Sequence, residues 1–505
     1  MLSSVLAAAE WTRPYIDYHA LAPEIILTLV AVSILVADLI VDETRKYLIT
    51  TWAGVGVALA AIPLLTLAAS DDTARVMFGG GYVVDRYALL LKGLFLVSGY
   101  LVLLMSSNYL AEGDFYEGEY SFLLVCSMLG MIVMASARDL ITIFVAVETI
   151  AIPSYLLAGW RKRESKSNEA MLKYYLLGVV ASAVMLYGMS FIYGITGATQ
   201  LSVIADSVTG EGVTPLLIVG IFLTLVGFAF KISAVPFHQW APDTYEGAPT
   251  PITAFLSVAS KTAGFVAITQ IVFAGFLGRS DVWRPIFWVL AALTMTVGNL
   301  TALRQTNIVR MLAYSSIAQA GFIMAPLAVA GINGSATKSA FDAIVLYLVV
   351  YAFMNLGAFA VVITVSRKTK SGEISSFGGL FEYAPGLAIV MTLIMASLAG
   401  IPPLGGFWAK FFVFKSIIDA GTTWPVVLGV IASVNSVIAF FYYASILREM
   451  WMRPVPLDDR TPVKLPAALT TALAICTVGI VAIGVYPGML TKLVDVSSTF
   501  GALIK

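Results

Sequence analysis

Apolar stretches recur along the whole chain, separated by short polar interruptions that hold most of its charge. They show no period-two alternation, and each is close to the ~20 residues a helix needs to cross ~30 Å of hydrocarbon. In lipid every backbone donor and acceptor must be satisfied within the protein, so such runs read as helices. The pattern predicts an all-α integral membrane protein of about fourteen spans. They lie at 21–41, 48–69, 87–109, 119–136, 139–160, 169–196, 214–239, 251–278, 284–303, 307–331, 339–366, 385–419, 425–450 and 464–487. No loop is long enough for a soluble domain, and short loops make neighbouring spans antiparallel.

Composition agrees. The 505 residues are 59% hydrophobic and 12% charged, about half the ~25% of a soluble domain. Thirty basic and thirty acidic side chains cancel, so nothing attracts nucleic acid. Cys126 and Cys476 both sit inside apolar runs, which supports neither a disulfide nor a metal site. The polar stretch with Glu10, Arg13 and Asp17 ahead of the first run is unlike a signal peptide, and no cleaved segment is expected. An outer N-terminus places Arg45, Lys46, Arg161, Lys162, Arg163, Lys166, Arg304 and Arg310 on the inner face. It adds Arg367, Lys368, Lys370, Arg448, Arg453, Arg460 and Lys464 to the same side. That excess of Lys and Arg predicts both termini outside.

Two spans are interrupted. The seventh contains FKISAVPFHQWAPDTYEGAPTP (Phe230–Pro251) and the twelfth AGIPPLGGFWAK (Ala399–Lys410). Proline removes a backbone donor and clashes with the preceding turn. Broken helices at matching places in two halves point to a repeat with an ion path between the pieces. The breaks are five spans apart, an odd number, so the repeat would be inverted. The organisation expected is an N-terminal three-helix segment (1–118), five-helix repeats at 119–278 and 284–450, and a C-terminal helix and tail (451–505).

Charges inside the spans supply the chemistry. Glu148, Lys231 and Lys261 fall within them, Lys173 lies one turn into the sixth, and Lys410 ends the twelfth-span break. A charge at mid-membrane costs at least ~2.5–3.5 kcal/mol, so these groups must be paired, hydrated or used. Lys92 and Lys415 read as amines that snorkel to the interface. Lys173 shares that alternative, and Glu148 has the alternative of a purely structural partner. Desolvation brings amines and carboxylates toward the point where a proton is gained or lost near neutrality. A line of them, linked by water, is a proton relay. Arginine does not serve, because it stays protonated. His238 beside the first break could pass protons or make a capping bond; His19 reads as a surface residue. No metal-ligand spacing, dinucleotide fingerprint or Walker sequence is present. The chain thus has no evident means of binding NADH, flavin, an iron–sulfur cluster or ATP. An organic-solute transporter would need a pocket of substrate-selective polar groups, where this sequence offers a line of amines.

The block FKISAVPFHQWAPDTYEGAPTPITAFLSVASKTAGF (Phe230–Phe265) resembles the signature of the proton-conducting, antiporter-like membrane family. RMLAYSSIAQAGF, SSFGGL and LAGIPPLGGFWAKFFVF resemble further blocks of that family in the same order. The family includes three large subunits of respiratory complex I and subunits of Mrp-type sodium/proton antiporters. Within it the chain is most similar to the N-type (subunit 2) branch, by its length, its opening LAPEIILTLVAVSILVADL and its twelfth-span lysine. The resemblance implies a relay of Glu148, Lys173, Lys231, Lys261 and Lys410, with Glu148 pairing with Lys231. It implies no cofactor on this chain, with NADH, FMN, iron–sulfur clusters and quinone on partner subunits. It also implies an M-type antiporter-like subunit and small membrane subunits as partners in a bacterial inner membrane. The Mrp-type antiporter is the alternative.

Overall fold

The computed structural model describes residues 14–42, 45–70, 73–113, 118–208 and 214–494. Glu10, Arg13 and both chain ends lie outside the described residues. Helices α1 (Ala22–Ile40) and α2 (Tyr47–Ala68) pack as a pair. A small antiparallel hairpin, β1 (Arg75–Met77) and β2 (Tyr82–Val84), leads into α3 (Arg86–Gly113). Next come α4 (Gly118–Ser136), α5 (Leu140–Ala158), α6 (Ser165–Thr196) and the short α7 (Leu201–Val208). The first broken rod is α8 (Pro215–Lys231) and α9 (Trp240–Gly247). The next rod is continuous: α10 (Thr250–Phe255), a π-helical turn (Leu256–Ser260), α11 (Lys261–Gln270) and a second π turn (Ile271–Gly275).

The second half runs α12 (Ser280–Ala302), α13 (Ile308–Met324) and α14 (Gly334–Thr369). A single-turn α15 (Leu380–Tyr383) precedes the second broken rod, α16 (Pro385–Ala399) and α17 (Gly405–Asp419). α18 (Thr423–Met452), α19 (Ala467–Val485) and α20 (Gly488–Val494) finish the described chain.

Twelve helices among the described residues are long and apolar enough to cross a membrane, and the chain is a multi-pass membrane protein. The two other expected spans, 214–239 and 385–419, contain the shorter apolar helices α8 and α16 of the broken rods. Buried apolar side chains form one continuous core crossed by a smaller set of polar contacts, and further apolar side chains face out. α6 exposes Leu172, Leu176, Val180 and Tyr187, and α18 exposes Val430, Val434, Val437 and Phe441. Every residue from Pro251 to Gly275 is buried, and α14 packs against α3, α10, α13, α16, α17 and α19. These two rods form the centre of the molecule. The hairpin, α7 and α20 were not expected. A three-residue strand cannot display a period-two pattern, and one or two helical turns lack the length of a span.

Candidate proton-relay site

The breaks place two of the amines. α8 stops just after Lys231, where Ser233 turns to φ 59° and Pro236 brings no donor. The Phe230 carbonyl accepts from the Ser233 amide at 3.0 Å and from the indole of Trp240 at 3.1 Å, and the Val235 amide donates to the Thr294 hydroxyl at 3.0 Å. α16 stops at Gly400, whose φ of 92° suits glycine and whose N–H caps the Ala396 and Ser397 carbonyls. Pro402 and Pro403 delay the restart until Gly405. The freed Ala399 carbonyl accepts from Lys410 Nζ at 2.8 Å. A half-helix presents partial negative charge at its C-terminal end. Lys231 sits in the last turn of one such end, and Lys410 is bonded to the other.

Lys261 opens α11 directly after the first π turn. It is buried, and its Nζ donates to both the carbonyl and the hydroxyl of Ser316, each at 2.9 Å. In the π turn itself, Ser257 accepts from Asn355 of α14 at 2.7 Å. π turns recur at functional sites because they disrupt the regular helical ladder.

Protein groups bridge most of the gap between Lys261 and Lys410. Ser315 and Tyr443 share a hydroxyl–hydroxyl bond of 2.5 Å, and Gln319 donates to Tyr443 at 3.1 Å. Gln319 also accepts from Tyr347 and donates to the Leu398 carbonyl at 3.3 Å. Leu398 immediately precedes Ala399, the residue that holds Lys410. The near-continuous polar seam therefore runs along one face of α13 to the second break.

On the other side, Lys231 lies along α11. A Cβ at Gly264 would stand 3.1 Å from Lys231 Cγ and 2.8 Å from Ile232 Cγ2, so glycine permits the close approach. Among the described residues, Lys231 Nζ is buried without a hydrogen-bond partner, as are the hydroxyls of Tyr174, Tyr245 and Tyr351. Tyr174 stacks on Trp240 at 4.4 Å and meets Tyr155 edge-on at 4.6 Å.

The Glu148–Lys231 ion pair implied by the resemblance is not made: among the described residues no salt bridge joins them. Glu148 instead accepts from Ser182 of α6 at 2.5 Å. Lys173 stands apart from the buried line. Its half-exposed side chain pairs with Glu169 and with Asp243 of α9, each at 2.7 Å. Arg310 of α13 completes that cluster, at 2.9 Å from Asp243 and 2.7 Å from Glu246. His238 is half-buried between α8 and α9, its Nδ1 without a partner. Lys415 is half-exposed and pairs with Asp419 at 2.6 Å. Lys92 does not snorkel. It is fully buried and pairs with Glu24 at 2.6 Å.

Sequence reasoning missed Glu24, Ser316, Gln319, Tyr347, Asn355 and Tyr443. The spacing of Ser315 and Gln319, four residues apart in an otherwise largely apolar helix, was the available signal.

This is a multi-pass helical membrane fold in which Lys231 and Lys410 lie buried beside two helix breaks and Lys261 lies buried on the rod between them. Residues 137–436 match the transmembrane family of NADH:quinone oxidoreductase and Mrp antiporters, and the chain belongs to that family. It is 39% identical over 481 residues to NADH-quinone oxidoreductase subunit N of Trichlorobacter lovleyi, covering 94% of this chain and 96% of the relative. It is 43% identical over 434 residues to NAD(P)H-quinone oxidoreductase subunit 2 of Thermosynechococcus vestitus, covering 85% and 81%. Among solved structures it is similar to a chain of respiratory complex I from Thermus thermophilus. That match is 30% identical with a TM-score of 0.77, over 93% of this chain and 98% of the other. A chain of the Mrp complex from Dietzia sp. shares the fold, with a TM-score of 0.83 at 20% identity over 97% and 100%.

Proposed function

We propose that this chain is a membrane-arm subunit of an NADH-quinone oxidoreductase and moves protons across the membrane through Lys173, Glu148, Lys231, Lys261 and Lys410. His238 is an accessory carrier at the first break. The observation that carries this reading is the placement of three buried amines, two at half-helix ends and one on Ser316, along a polar seam inside an apolar core. Buried polar groups without protein partners are where bound water completes hydrogen bonding. The unpartnered Lys231 amine and Tyr174, Tyr245 and Tyr351 hydroxyls supply such places between Lys231 and Lys261.

Protons enter at the Lys173–Asp243–Arg310 cluster, on the face carrying Arg161 and Lys166, which is the inner one. They leave by the second break at Lys410. The two five-helix units, 119–278 and 284–450, act as an inverted pair of half-channels in a bacterial inner membrane, with both termini outside. Redox chemistry, with NADH, FMN, iron–sulfur clusters and quinone, takes place on partner subunits. Adjacent M-type and small membrane subunits transmit its energy to this chain by conformational and electrostatic change. Against 100 mV each proton costs ~2.3 kcal/mol, and a change in proton affinity of about two pKa units supplies ~2.7 kcal/mol.

The test replaces Lys261 and Glu148 with alanine in the whole complex. We expect assembled complexes with fewer protons pumped per NADH oxidised. Normal stoichiometry in both variants overturns the relay. Sodium-dependent transport without NADH would instead assign the chain to a sodium/proton antiporter.

A further inference from the structure

A second group of buried titratable side chains, which the relay does not use, lies at the hairpin end of the first half. Glu24 in the first turn of α1 and Lys92 of α3 pair at 2.6 Å, their side chains 10% and 0% exposed. Tyr82 of β2 donates its hydroxyl to Glu24 Oε1 at 2.7 Å, and Lys92 Nζ stands 3.5 Å from the same hydroxyl. Burial and then the charge of Glu24 push the Tyr82 hydroxyl well above its usual range, so it remains a donor. The charged and titratable groups around Lys92 are Glu24, Tyr82 and Asp85, with Arg138 bonded to Asp85 at 3.0 Å.

This group connects to the rod that carries Lys261. Tyr82 bridges to Ala137 through the backbone, next to Ser136 at the end of α4. Gln270, at the far end of α11 from Lys261, donates to the Met134 and Ala135 carbonyls at 2.9 Å each. The second π turn begins immediately after Gln270. Lys261 and Gln270 are thus the two ends of one α-helical segment held between two π turns, ~14 Å apart at 1.5 Å per residue. Among the described residues, Glu24 Oε2 and Gln270 Oε1 are buried without partners, and the buried Ser136 hydroxyl stands beside that of Tyr82.

We propose that Glu24, Lys92 and Tyr82, with Ser136 and Gln270, form a second proton-exchange site, which connects the Lys261 rod to the hairpin face. In the exchange step the Lys92 ammonium gives one proton to the Glu24 carboxylate, leaving a neutral amine and a neutral acid. The acid releases that proton through its open oxygen, and the amine is recharged from the Ser136–Gln270 side. The proposal rests on the proton-carrying reading of the chain and adds to the first half an opening of its own on the hairpin face.

The test compares three variants of the assembled complex in sealed vesicles: Lys92→Arg, the pair Glu24→Leu with Lys92→Met, and Lys261→Ala. Arginine keeps the charge and the pairing but does not release a proton. The Leu/Met pair replaces both charges with apolar groups of similar size, which a purely structural pair tolerates. Native-gel assembly and uncoupled NADH oxidation are read beside dye-reported proton uptake. We expect the Arg and Leu/Met variants to assemble, oxidise NADH normally and lose at least ~10-fold in proton flux, since a positioned carrier is worth ~10²–10⁴. Normal flux in either assembled variant, with Lys261→Ala impaired, overturns this site and leaves the relay standing. Normal flux in all three overturns the relay itself. If the Leu/Met pair fails to assemble, Lys92→Arg alone decides.

Discussion

Adding one methyl group at Gly400 tests whether Lys410 works where the structure puts it. Gly400 has φ 92°, and a Cβ there would stand 2.9 Å from Lys410 Cδ and 3.5 Å from Nζ. Alanine in the left-handed region costs ~1–2 kcal/mol from the backbone alone. The flexible lysine must also move aside, which breaks its bond to the Ala399 carbonyl. A hydrogen bond to a charged group contributes ~1.5–3 kcal/mol. If that loss falls on the proton-transfer barrier, flux drops roughly ten- to a hundredfold, at ~1.4 kcal/mol per factor of ten. Gly421 is the matched control. It has φ 64°, and an added Cβ would meet nothing within 4 Å, so Gly421→Ala pays the backbone cost without touching a lysine. Both variants are made in the full complex and assayed by proton uptake into sealed vesicles, normalised to NADH oxidation and to assembled complex. We expect Gly421→Ala to pump normally and Gly400→Ala to be slowed. Equal flux in the two refutes the assignment of Lys410 to the pathway.

Two further outcomes check the bridge and the packing. Tyr443→Phe removes the hydroxyl shared by Ser315 and Gln319 but keeps the ring against Tyr442, 4.4 Å away. At ~0.5–1.5 kcal/mol per bond it should slow proton uptake several-fold with assembly unchanged on native gels. Gly406→Ala would place a Cβ 1.8 Å from the Ser397 carbonyl oxygen, forcing α17 away from α16. The complex should fail to accumulate in membranes, whereas Gly386→Ala, with open space around it, should accumulate normally.

The broken rods could be read from the sequence because proline and glycine act locally and their effect does not depend on distant neighbours. Lys231, Lys261 and Lys410 were equally legible, since a charge in mid-span has few explanations. Lys92 was misread for a physical reason. Near a span end, an amine that snorkels and one that is buried have the same local sequence. What separates them is Glu24, remote in the chain, which only the packing of α1 against the rest of the bundle brings within reach. The bridge through Ser315, Gln319 and Tyr443 was hidden in the same way. Each residue alone is an ordinary polar member of an apolar helix, and the seam exists only where α13, α16 and α18 meet. The π turns around Lys261 leave no periodic trace in the sequence.

α14 has a consequence for coupling. Its Asn355 holds the π turn ahead of Lys261, its Tyr347 holds Gln319, and its Met354 sulfur accepts from Ser397 beside the second break. At 36 residues it is a long, stiff shaft. An axial slide of a single residue, ~1.5 Å, would pull on the anchor points of both lysines in the same instant. Any axial displacement of that shaft would therefore move both anchor points together.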